Sequence, residues 1–142
     1  MEDFKELDFS KLEKVEQIET YIQEKMGVSF SDVRSKLSAN TKDKAEELTL
    51  EFTNIAPYGE YDKMLEDNDS MADFLKSEAS KDENWMLSEL QVVKTGGQDM
   101  LQCIFVNKSV DDGTSLEGHV FLSKSGKIRH SFVQGNGKGW KS

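Results

Sequence analysis

The chain carries one cysteine and one proline in 142 residues, and it has no apolar run long enough to span a membrane. A lone thiol excludes an internal disulfide. Cys103 sits inside the apolar run LQCIFV, away from any basic cluster or helix start, so it reads as a buried, unreactive side chain in a reducing compartment. The opening MEDFKELDFS is acidic and lacks the basic start and apolar stretch of a secretory signal, so a cytoplasmic location is expected. There are only two histidines, and neither Cys-x-x-Cys nor His-Glu-x-x-His occurs, so no metal or cofactor site is expected. Asp67-Asn68-Asp69 opens like a calcium loop, but the required glycine and distal glutamate are missing, and a turn leading into a helix cap is the better reading.

Acidic residues are abundant, and they are unevenly placed. Residues 1–83 hold 22 acids against 11 bases, whereas residues 84–142 hold 5 acids against 7 bases. No acid follows Glu117, while Lys124, Lys127, Arg129, Lys138 and Lys141 do. A net charge of −9 repels phosphate backbones, which argues against direct nucleic-acid binding and favours a basic protein partner.

Apolar spacing divides the chain into a helical part, 1–83, and a strand-rich part, 84–134, followed by a basic, glycine-rich tail, 135–142, expected to be flexible. The length suits one domain. Leu12, Val15, Ile18, Ile22 and Met26 recur on one stripe of a first helix, with Ser10 and Glu13 as a capping box and Gly27 as its stop. A second helix is expected over Phe30 to Leu37, broken by Ser-Ala-Asn-Thr. A third, capped by Asn40 or Thr41, would carry Ala45, Leu48, Phe52 and Ile55 until Pro57 ends it. A short helix over Tyr61 to Leu65 and one starting near Asp69 or Ser70, burying Met71, Phe74 and Leu75, complete this part.

From Trp85 the apolar period becomes two. Strands are expected at about 85–94, 99–108, 116–123 and 127–134, with connections short enough for an antiparallel meander. The second strand is apolar on both alternating sets, as an interior strand should be. Helices before strands make the fold class α+β, with N-terminal helices packed on a C-terminal four-stranded antiparallel sheet.

Both histidines lie in the last hairpin, EGHVFLSKSGKIRHSFVQ. Strict alternation puts Ile128, His130 and Phe132 on one face and Arg129, Ser131 and Val133 on the other. A two-residue loop at Ser125-Gly126 pairs His130 with Phe121 and His119 with Phe132. A turn with a glycine bulge moves the register by one and brings Val120 and Leu122 to that face instead. The sequence leaves both registers open.

Helices followed by a meander that ends in FLSKSGKIRHSFVQ, with Gly126-Lys127-Ile128 in its final hairpin, resemble the NTF2-like superfamily (ketosteroid isomerase and SnoaL-type members) over about residues 41–134. The resemblance implies a cone-shaped cavity between helix and sheet for apolar ligands, and dimerisation through the sheet. It transfers no catalytic residue, because no matching catalytic aspartate is found.

Two functions of different classes follow. In the first, the protein is a non-enzymatic interaction protein of the immunity-protein or inhibitor type. It binds a basic partner through Glu16, Glu19, Glu24, Asp43, Glu47 and Glu51 on the solvent faces of the helices. In the second, an NTF2-like pocket binds, isomerises or dehydrates a small apolar ligand. Trp85, Phe121, His130 and Phe132 line it, and His130 is the acid or base.

Overall fold

The structure is a computed structural model and describes residues 13–48, 68–109 and 114–137. The chain is α+β. Helices α1 (Val15–Met26), α2 (Phe30–Asp43) and α3 (Asn68–Lys76) precede strands β1 (Trp85–Thr95), β2 (Gln98–Asn107), β3 (Thr114–Leu122) and β4 (Ile128–Gly137). The strands form one antiparallel sheet in the order β1-β2-β3-β4.

Alternation divides the sheet into two faces. The inner face carries Trp85 and Leu87 of β1, Leu101, Cys103 and Phe105 of β2, Leu116, Val120 and Leu122 of β3 and Val133 of β4, all buried. The apolar stripe of α1 meets this layer through Ile22, with Val15, Ile18 and Met26 half-buried beside it. Phe30, Val33 and Leu37 of α2 and Leu75 of α3 complete the core. Leu37 lies directly over Gly118, where an added Cβ would stand 2.7 Å from Leu37 Cδ2, so the absence of a side chain on β3 lets the helix approach the sheet closely.

Four expectations about element boundaries change. The first helix begins at Val15, where Gln17 Oε1 accepts from the backbone N–H groups of Glu13 and Lys14 at 3.0 and 3.1 Å; Ser10 and Leu12 lie outside the described residues. The second helix does not break at Ser-Ala-Asn-Thr but runs on to Asp43, with further helical backbone over 45–48. The hydroxyls that suggested a break have partners: Ser38 Oγ donates to Asp82 at 2.6 Å, and Thr41 Oγ1 donates back to the Leu37 carbonyl at 2.8 Å. α3 is already helical at Asn68, the first described residue of its segment, slightly ahead of the expected cap. The strand content also extends into the tail, because Gly135, Asn136 and Gly137 pair with Leu116, Ser115 and Thr114. The expected features at Phe52, Ile55, Pro57 and Tyr61 to Leu65 lie outside the described residues, as does the side chain of Met71.

Cys103 stands on the inner face with no exposed surface, and burial pushes its thiol up to about 12. Thiolate is the reactive form, so an aromatic disulfide reagent at about pH 8 should leave folded protein unmodified and react fully once denaturant is added. Rapid modification of the native chain would contradict this packing.

Candidate functional site

The β3–β4 hairpin decides which side chains share the outer face, and it combines both of the registers that the sequence permits. The turn closes through Gly126 N–H to the Ser123 carbonyl and Ser123 N–H to the Lys127 carbonyl, both at 2.9 Å, with Gly126 at φ +83°. That geometry pairs Leu122 with Ile128. A bulge follows at once: the register shifts between Phe121 and Leu122, Arg129 is the extra residue, and His130 then pairs with Phe121 and Phe132 with His119. Ile128 therefore shares the inner side with Leu122 and packs half-buried against the core, whereas His130 and Phe132 face outward. The strict alternation that grouped Ile128 with His130 and Phe132 is corrected by this one added residue.

On the outer face four rings lie in contact. The His119 and Phe132 rings stack with centroids 4.7 Å apart and planes within 6°. Phe121, His130 and Phe132 have centroid separations between 5.6 and 6.4 Å. His130 is exposed, and the two phenylalanines are half-buried. The described helices all meet the opposite face, so these rings do not enclose a space between helix and sheet. Trp85, grouped with them in the pocket reading, is on the inner face and 1% exposed. It pairs with Asn107 in the register, so strand parity separates it from Phe121, His130 and Phe132.

His119, which attracted less attention in the sequence than His130, is the more constrained histidine. The Gln102 amide nitrogen donates to its Nδ1 at 3.1 Å, leaving the ring proton on Nε2, which faces Glu117 Oε1 at 3.2 Å. Gln91 Nε2 donates in turn to Gln102 Oε1, so an amide–amide–imidazole–carboxylate chain crosses β1, β2 and β3. With both ring nitrogens beside polar partners, His119 ties β3 to β2 through Gln102. Spacing alone could not reveal this, because Gln91 and Gln102 meet only through the strand pairing.

The acidic candidates separate into two kinds. Glu19 is committed internally: its two carboxylate oxygens accept from Arg34 Nη1 and Nη2 at 2.6 and 2.7 Å, in a bidentate pair largely shielded from solvent. Arg34 also donates from Nε to the Trp85 carbonyl at 2.9 Å, and its guanidinium lies 5.5 Å from the Phe105 ring centre. The hydrogen bond to Glu19 holds the Arg34 guanidinium above its ordinary value. Glu46 is likewise bonded to Lys76 at 2.9 Å, which lowers its carboxyl below the usual range.

Glu16, Glu24, Asp43 and Glu47 are exposed and, among the described residues, form no ion pair. Glu16 and Glu24 stand two turns apart on α1, at the ends of a shallow groove lined by Gln17, Thr20 and Tyr21. Asp43 and Glu47 lie at and just beyond the C-terminal end of α2. Glu51 lies outside the described residues.

No family model, curated protein or solved structure matches this chain. Its chemistry is therefore read from its own geometry. Among the described residues no three His, Cys, Asp or Glu side chains come together as a metal site, and no helix is long and apolar enough to cross a membrane.

Proposed function

We propose that this protein is a small acidic binding module that captures and neutralises a basic protein partner, as an immunity protein or inhibitor does, using the exposed acids of its helices. The observation that carries this reading is the groove on α1, with carboxylates at both ends and, among the described residues, no cation paired with either. Glu16 and Glu24 are separated by about 12 Å along the helix axis, a span suited to two lysine or arginine side chains of a partner. Thr20 and Gln17 add neutral hydrogen-bonding groups between them. Asp43 and Glu47 extend the negative surface, while Glu19 supports it from within by fixing α1 to α2 through Arg34.

Full-length protein immobilised on a resin should retain a basic protein from its native extract at about 50 mM salt and release most of it at about 300 mM, because exposed charges are screened over that range. The double variant Glu16→Lys/Glu24→Lys should bind the same protein about tenfold more weakly or worse. Capture of no basic protein, or equal capture by the variant at both salt concentrations, would sink this reading.

The second reading, an NTF2-like protein for a small apolar ligand, draws support from one observation: the bulge at Arg129 collects Phe121, His130 and Phe132 on one surface. Any ligand there would lie on the outer face against the rings. The acidic groove is the better supported site, since among the described residues neither Glu16 nor Glu24 forms an ion pair.

A further inference from the structure

The β1–β2 and β3–β4 turns lie at the same end of the sheet, and between them is a cleft of about 400 Å³. In an acidic chain its lining is unexpectedly cationic. Lys94 comes from the end of β1, Lys124 from the β3–β4 turn and Arg129 from the bulge, against one acid, Asp99. Among the described residues none of the three cations forms an ion pair, and all three are exposed. Ser123 and Ser125 also line the cleft, their hydroxyls 2.9 Å apart, so one hydroxyl donates to the other and the second keeps its proton for a ligand.

We propose that the cleft formed by Lys94, Lys124 and Arg129 between the two hairpin turns binds the phosphate group of a small phosphate ester. Three cations and one carboxylate leave a local surplus of two positive charges, which suits a phosphate monoester carrying about −1.5 to −2 at neutral pH. Arginine offers a planar fork to phosphate oxygens, the lysines add mobile point charges and the serines add neutral donors. The volume falls at the lower end of small-ligand sites and exceeds what a bare phosphate ion fills, so room remains for the esterified group. The site also rests on ordered backbone: the turn is closed by two hydrogen bonds at 2.9 Å, and Arg129 is fixed by strand pairing on either side of it. This inference is independent of the acidic groove on α1.

Amide NMR titration of the full chain at about 50 mM salt tests it, with inorganic phosphate and ribose 5-phosphate as the probes. Saturable shifts are expected at the amides of residues 97–99 and 123–125, with ribose 5-phosphate binding more tightly than phosphate. Lys124→Gln and Arg129→Gln should each weaken binding about tenfold, and Lys94→Gln should do so to a smaller extent. Lys36→Gln, an exposed lysine of α2, should leave it unchanged, and superimposable spectra without ligand establish that each variant is folded. Shifts that stay linear to about 20 mM probe, or equal losses in Lys36→Gln and Arg129→Gln, would overturn the site. Binding of inorganic phosphate without ribose 5-phosphate would overturn its assignment to an ester.

Discussion

Replacing Gly126 by alanine is expected to cost about 2–4 kcal/mol of folding free energy, seen as a fall in melting temperature on the order of 10 °C. Two penalties act together. Gly126 is at φ +83°, where a side chain is strained, and an added Cβ would stand 2.3 Å from the Met26 carbonyl oxygen and 3.2 Å from Val28 Cγ2. Neither neighbour can yield easily. Met26 ends α1, the following residue Gly27 is tied back to the Gln23 carbonyl at 2.9 Å, and Val28 is buried. The turn must therefore lift off the α1–α2 joint. Gly97→Ala provides the comparison, since Gly97 has φ +79° but nothing within 4 Å of an added Cβ, and it should lose only about 1 kcal/mol. Equal losses in the two variants would mean that the hairpin does not rest on α1.

Arg34→Ala should be comparably severe, at about 2–4 kcal/mol by urea denaturation. One side chain joins α2 to α1 through both oxygens of Glu19, to β1 through the Trp85 carbonyl and to β2 through the face of Phe105. Its removal leaves a carboxylate with 14% side-chain exposure and no cation, and a carbonyl without its donor. Arg34→Lys should recover little, because an ammonium cannot form the two parallel bonds and the third to Trp85 at once. Adding Glu19→Leu to Arg34→Met should restore much of the loss, since the pair is replaced as a unit. A change below about 0.5 kcal/mol in Arg34→Ala would show instead that the pair behaves as an exposed one.

The order and antiparallel pairing of the strands were legible, with strand ends within three residues of those expected, while the register of the last hairpin was not. Val, Ile and Phe recur with period two between glycine-bearing turns, and that pattern has one satisfactory solution in an antiparallel meander. The helix boundaries were less legible where polar residues have distant partners. Ser38 and Thr41 look like a break until Asp82, 44 residues from Ser38, is found to accept the Ser38 hydroxyl. The same holds for the acids. Nothing local distinguishes Glu19 from Glu16 or Glu24, and only Arg34, placed across the helix joint, takes one of the three out of the solvent-facing set. Among the histidines, sequence drew attention to His130 because it lies between Ile128 and Phe132. Strand pairing gives the constrained position to His119, through a glutamine on a different strand. Trp85 was separated from the other rings for the same reason: which face a strand presents is fixed by partners that the sequence does not display.

The turn and the bulge of the last hairpin act as two odd steps that cancel. The turn sends Ile128 inward beside Leu122, and the added Arg129 reverses the count so that Val133 is buried and Phe132 is not. Were the bulge removed alone, Phe132 would come opposite Gly118, in the space that Leu37 fills, and Val133 would turn to solvent. A gain or loss of one residue in this hairpin thus exchanges the two surfaces of the whole β4 strand. A length change here leaves both faces intact only in a compensating pair, and in that sense the spacing from Ser123 to His130 behaves as a single unit.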